Sequence, residues 1–149
     1  MQNEKKLKSS RNCEECTLCC TYMSADVYGH SFNKGTSCHF LGSGCTIYKD
    51  RPAVCRNYKC AWLADQEHFI PEWIKPSLSG IIITKRHWGK NKEHFYWAVV
   101  ECGKPMRADV LHWLLIFCEQ HSIDLEYEFN FGMYRRGSIE FQNYMKENL

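Results

Sequence analysis

No apolar stretch in these 149 residues approaches the roughly 20 that a membrane-crossing helix needs; the longest, Val110 to Cys118, is interrupted by His112. Charge of one sign is also scarce. The formal net charge is +2, too little for a global field that would gather nucleic acid or acidic substrates. The chain has no glycine-rich phosphate loop, no Ser–His–Asp arrangement and no H-E-x-x-H motif, which removes the commonest nucleotide-binding, serine-hydrolase and metalloprotease readings. Low-complexity tracts and internal repeats are missing as well, apart from one repeated Cys-x-x-Cys step. The opening segment MQNEKKLKSSRN is polar and basic without the apolar core of a secretory signal, so residues 1–12 read as a flexible tail. The expectation is a cytoplasmic protein whose thiols are kept reduced, with no membrane partner.

What the sequence has in excess is cysteine. Eight of its ten cysteines fall between Cys13 and Cys60, beginning Cys13-Glu-Glu-Cys16-Thr-Leu-Cys19-Cys20 and continuing with Cys38, Cys45, Cys55 and Cys60. Two cysteines separated by two residues can grip one ion from a single tight turn, and among reduced thiols such density points to metal or redox work. A secreted disulfide scaffold is the rival, disfavoured by the missing signal and by the adjacent Cys19–Cys20 pair. Eight thiolates are twice what one tetrahedral zinc or one cubane cluster takes. Either two four-cysteine sites or one site with additional thiols follows. If the backbone at Cys19–Cys20 is extended, the two side chains point to opposite sides and serve different centres.

Zinc accepts any tetrahedral set of thiolates, while Cys-x-x-Cys-x-x-Cys with a distant fourth ligand is also how ferredoxins hold a four-iron cluster. The spacing leaves zinc and iron or iron–sulfur both open. His39 follows Cys38 and could replace a thiolate; a hydrogen bond to a carbonyl is its more ordinary use. Arg11, Lys34, Lys49, Arg51, Arg56 and Lys59 flank the cysteines. A divalent ion held by four thiolates carries a charge of about −2, and Arg51 and Arg56, close around Cys55, are the candidates to offset it and hydrogen-bond the sulfurs. Tyr48, Tyr58 and Trp62 are expected to wall the sulfurs from solvent.

Residues 13–63 carry too little apolar sequence to fold unaided, so metal binding is expected to supply their folding free energy, on the order of 10 kcal/mol for a structural zinc site. Residues 64–149 form a conventional core: strands over Gly80–Thr84 and Phe95–Cys102 around a basic hairpin loop, Lys85 to His94, then a helix from Arg107 to His121. A strand over Asp124–Phe131 and a closing helix with Ser138 as N-cap complete it. The fold class is therefore α+β, a cysteine-rich metal-binding lobe packed on a small β-β-α-β-α unit of the same domain. Pro52 is placed at the start of a helical turn, with Cys55 on that turn and Cys60 past it. Cys118 reads as a small buried hydrophobe and Cys102 as a structural thiol.

The string Cys45-Thr-Ile-Tyr-Lys-Asp-Arg-Pro-Ala-Val-Cys55-Arg-Asn-Tyr-Lys-Cys60, behind Cys13-x-x-Cys16-x-x-Cys19-Cys20, resembles the YkgJ-type cysteine-cluster family. The resemblance covers about residues 13 to 63 and implies a chelator of zinc, iron or an iron–sulfur cluster with Cys13, Cys16, Cys19, Cys20, Cys38, Cys45, Cys55 and Cys60 as ligands. It implies no activity. The flagellin lysine methylases carry a similar cluster in much longer chains, and the absence of a nucleotide loop speaks against methyl transfer here. Three functions are consistent with the sequence: a structural or metal-handling metalloprotein, an iron–sulfur redox protein or enzyme, and a zinc-scaffolded adaptor touching protein or nucleic acid through Lys85–Lys92. Nucleic acid is the less favoured partner, because no second basic patch accompanies that loop, and no residue is assigned a catalytic role.

Overall fold

The structure is a computed structural model and describes residue 11 and residues 18–148. Cysteine spacing leaves the first half little room for regular structure. Its elements are short: helix α1 (Leu18–Tyr22), a two-stranded ribbon of β1 (Ala25–Val27) and β2 (His30–Phe32), and helical turns α2 (Ala53–Arg56), α3 (Ala61–Ala64) and α4 (Pro76–Ser79). The second half builds a four-stranded sheet in the order β3 (Ile81–Trp88), β4 (His94–Glu101), β5 (Asp124–Phe129), β6 (Gly132–Arg136). Helix α5 (Ala108–Gln120) joins β4 to β5, which run parallel and therefore require a crossover; the other pairs are antiparallel. Helix α6 (Ile139–Glu147) closes the chain, with the Ser138 hydroxyl accepting from the Phe141 N–H at 3.2 Å as the sequence predicts. The architecture is mixed α+β. No helix among the described residues is long and apolar enough to cross a membrane.

Alternation along the strands divides the sheet into two working faces. Ile81, Ile83, Trp97, Val99, Leu125 and Tyr127 share one face with Val110, Leu114 and Cys118 of α5, forming the main core. Trp62, Ile70 and Ile74 from the segment before the sheet enter the same core. The opposite face is covered at one end by α6, where Phe141 packs fully buried against Trp88, Tyr96 and Ala98. At its other end the cysteine segment leans on it through polar anchors. The Tyr58 hydroxyl meets the Thr84 hydroxyl at 2.8 Å, and Lys34 Nζ lies 2.8 Å from Glu128 Oε2. Gly103, at φ +80°, admits Tyr22 of α1 so closely that any β-carbon there would collide with the phenol.

Four expectations need correcting. The basic stretch is not a loop: β3 runs through Lys85, Arg86 and His87 to Trp88, and only residues 89–93 turn. Lys85 and Arg86 tolerate a strand because β3 is an edge strand with both side chains exposed, Lys85 Nζ resting 4.5 Å above the Phe95 ring. The final sheet holds one strand more than the β-β-α-β-α order allows, because Asn130 and Phe131 form a two-residue turn between β5 and β6 with both residues at positive φ. Trp62 belongs to the main core rather than to a wall around the sulfurs. Residue 11, read within a tail, is buried. Its guanidinium donates to the carbonyls of Trp62 at 2.9 Å and Ile70 at 2.6 Å and lies over the Trp62 ring at 4.4 Å.

The β5–β6 turn has a buried counterpart that the sequence did not signal. Glu101, the last residue of β4, is wholly inaccessible. Its carboxylate accepts from the backbone N–H groups of Met106, of Asn130 at 3.0 Å and of Phe131 at 2.7 Å. Asn at the first turn position is ordinary, whereas Phe at φ +65° is strained. Two charge-assisted hydrogen bonds to that turn offset the strain. Removing the acceptor leaves three donors unmatched. Glu101→Ala should therefore cost about 3–5 kcal/mol and lower Tm by roughly 10 °C, measured by calorimetry. A loss below about 1 kcal/mol would show that the carboxylate is dispensable.

Candidate metal centre

Local backbone structure fixes each thiol in turn. Cys19 and Cys20 sit on α1, where successive side chains are about 100° apart rather than opposed. The extended-backbone premise fails there, and with it the assignment of the two thiols to different sides. Cys38 is tied to the same helix by its N–H, which donates to the Cys20 carbonyl at 2.8 Å. Cys45 follows the tight Gly42–Gly44 loop and pairs back to Leu41 as an isolated bridge. Pro52 caps α2 and its carbonyl receives the Cys55 N–H at 3.0 Å, so the proline holds Cys55 on the turn as expected. Cys60 is the N-cap residue of α3.

These six cysteines, drawn from well-separated positions in the sequence, line one cavity of about 150 Å³. Cys38 is buried and the other five are half-buried. Apolar residues such as Met23, Val27, Phe32, Ile47, Leu63 and Ile82 make much of the remaining wall, with Tyr48 and Tyr58 beside them. Among the described lining residues there is no carboxylate, imidazole or lysine; Arg51 is the one charged side chain. It is held by its own Nε, which donates to the Tyr48 carbonyl at 2.9 Å, and by the Tyr48 ring 3.9 Å beneath its guanidinium carbon. Arg56, the companion cation in the sequence reading, is exposed and does not line the cavity.

Cys13 and Cys16 lie outside the described residues. Cys118 lies under α5 in the main core, where burial pushes its thiol up to about 12. Cys102, just past β4, is likewise away from the cavity wall. His39 is not on that wall either: its ring stacks on His30 at 3.9 Å.

Electrostatics within the cavity are uneven. A hydrogen bond from the Cys20 thiol is the main reason that Cys19 is lowered to about 7, against the opposing effect of burial, with the field of Arg51 a smaller aid. The same bond, with burial and the surrounding thiols, pushes Cys20 up. Of the two, Cys19 therefore loses its proton the more readily, and Cys20 keeps its own. Burial and the neighbouring thiols raise Cys55, and Arg51 opposes this. Burial also raises the Tyr58 phenol to about 12, so it stays protonated and hydrogen-bonded to Thr84.

The donor chemistry fits a soft or borderline metal, since thiolate is the ligand of zinc and iron–sulfur centres and a poor one for magnesium or calcium. As they stand, no three or more His, Cys, Asp or Glu side chains among the described residues are drawn together closely enough to hold an ion. The sulfurs surround a space rather than meet at a point. No family model matches the chain, and neither curated proteins nor solved structures contain a similar one.

In chelator-treated protein, Cys19 should be the most rapidly alkylated of the described thiols, with a half-rate pH near 7 against about 8.5 for an ordinary cysteine. Cys20→Ala should move that midpoint upward by removing the hydrogen-bond donor. Arg51→Ala should move it the same way by less. Cys118 should stay unlabelled in the folded protein. Peptide mapping by mass spectrometry across a pH series reads all four, and an ordinary midpoint for Cys19 in the wild type would refute the lowering of Cys19 by Cys20.

Proposed function

We propose that the protein binds a metal centre, zinc or iron, the latter alone or in an iron–sulfur cluster, through the cysteines of this cavity. Cys13 and Cys16 complete the ligand set with Cys19, Cys20, Cys38, Cys45, Cys55 and Cys60. The cysteine-rich part is then a metal-dependent lobe on the α+β unit. The observation that carries the reading is the convergence of six cysteines on one cavity whose described lining offers no other metal-binding side chain. The likeness of the Cys13–Cys60 motif to YkgJ-type chelators supports it.

Two further features support it. Residues 18–58 bury little apolar surface, their cluster resting on Val27, Phe32 and Cys38. Folding free energy from coordination suits such a segment. A thiolate centre is also anionic, and Arg51 provides a half-buried positive charge beside it. With iron–sulfur as the occupant, redox chemistry becomes the corresponding function.

Anaerobic purification followed by analysis for zinc, iron and acid-labile sulfide, with an absorbance spectrum, tests the reading. We expect stoichiometric metal in the wild type and less of it in Cys38→Ser, Cys45→Ser, Cys55→Ser and Cys60→Ser, with Cys118→Ala unaffected. Two zinc and no colour would indicate two four-cysteine sites; about four iron and four sulfide would indicate a cubane. Metal-free wild type, or full loading in all four serine variants, would sink the proposal.

A further inference from the structure

The two edges of the four-stranded sheet are built differently. β3 carries exposed Lys85, Arg86 and His87 along its outer half, and such charges ordinarily keep an edge strand from pairing. β6 is the opposite case. On it and just beyond it, Phe131, Met133, Tyr134 and Ile139 are 50% to 72% exposed. Of its two arginines, Arg135 is drawn inward, with Nε 2.8 Å from Glu126 Oε2. The backbone completes the contrast. A two-residue hairpin closes on a pair that exchanges both its hydrogen bonds, here Phe129 and Gly132. Alternation then turns the N–H and C=O groups of Gly132, Tyr134 and Arg136 toward β5, and those of Met133 and Arg135 away from the sheet. Among the described residues nothing pairs with these outward groups. Glu101 holds the turn from below, so the edge has its shape before any partner arrives.

We propose that β6 is a self-association surface, on which a second copy of this chain pairs antiparallel about a twofold axis through Tyr134. Such an axis makes one strand its own complement. Met133 then stands opposite Arg135 of the second copy, and each outward N–H meets an outward carbonyl. No arginine faces an arginine: Arg135 meets Met133, and Arg136 meets Gly132. Moving the axis to Arg135 would set like charges directly opposite each other, which is destabilising. The Tyr134 ring leans back over Gly132, 3.3 Å from where a β-carbon would lie. That keeps the axis clear and places the ring beneath the incoming Arg136 guanidinium. Large apolar side chains present roughly 150–250 Å² each, so these exposures leave on the order of 450 Å² per copy. Two copies supply about 900 Å² before backbone and arginine stems are added, close to the roughly 1,000 Å² at which specific interfaces begin. The dimer is accordingly weak, assembling at micromolar concentrations. No residue of β6 lines the thiol cavity, so the surface is independent of what that cavity holds.

Sedimentation velocity of the full chain, with reductant present to exclude intermolecular disulfides, should show a monomer–dimer equilibrium across a concentration series. On dilution, amide hydrogen exchange at Met133 and Arg135 should quicken about tenfold or more, while Tyr134 and Arg136, bonded to β5 in both states, change little. Met133→Pro removes an outward N–H and spares the ladder to β5. Met133→Arg sets an arginine opposite Arg135. Each should weaken association about tenfold or more with unchanged circular dichroism. Should the proline variant fail to fold, the arginine variant and the exchange pattern decide. A wild type that stays monomeric at high concentration overturns the proposal and leaves the edge to a different partner. A dimer undiminished in Met133→Arg, or one without protection at Met133 and Arg135, overturns it by placing the contact elsewhere.

Discussion

One completely buried carboxylate joins the parts of the sheet that sequence order would leave apart. Glu101 ends β4, where the chain departs for α5, and reaches the turn that leads into β6. An ionised carboxylate removed from water is costly unless its oxygens are fully used. Here both accept from backbone N–H groups, one oxygen from Phe131 and the other from Met106 and Asn130. The bonds bind a crossover to a hairpin, so the parallel and antiparallel halves of the sheet share one fixed point. The main core on one face and α6 on the other are then packed onto a sheet of defined shape.

Apolar periodicity was legible wherever it was dense. The helix read over Arg107 to His121 is Ala108–Gln120, and the helix behind Ser138 is capped as the residue type implied. Failures occurred where a local rule had a tertiary exception. Lys85, Arg86 and His87 look like a turn by composition, but an edge strand with exposed cations needs no apolar alternation. Asn130-Phe131 lacks the glycine that marks a tight hairpin, and its stabilising partner lies 29 and 30 residues away in Glu101. No window of sequence contains both. Arg11 and Trp62 were likewise read from their proximity to cysteines, whereas each is occupied with the other and with the main core.

For the candidate site, residue type was informative and grouping was not. Cysteine density pointed to the thiols, and the proline-led turn placed Cys55 correctly. That Cys19 and Cys20 face the same cavity depends on a five-residue helix too short for a periodic signal. Arg51 stands before α2, whereas Arg56 is the last residue of that turn, and this separates them. Their spacing around Cys55 makes them look equivalent, but Arg51 is pinned over Tyr48 facing sulfur and Arg56 faces solvent.

The close approach of Tyr22 to Gly103 has a genetic corollary. Helix α1 carries two of the cavity thiols and seats its last residue on a glycine just past β4, at the start of the crossover to α5. Any side chain at position 103 has to displace the end of that phenol, at a φ that side chains rarely adopt. In a map of substitution effects, position 103 would thus group with the cysteines rather than with the loop in which it lies. Heredity would see as one unit what the sequence separates by more than eighty residues.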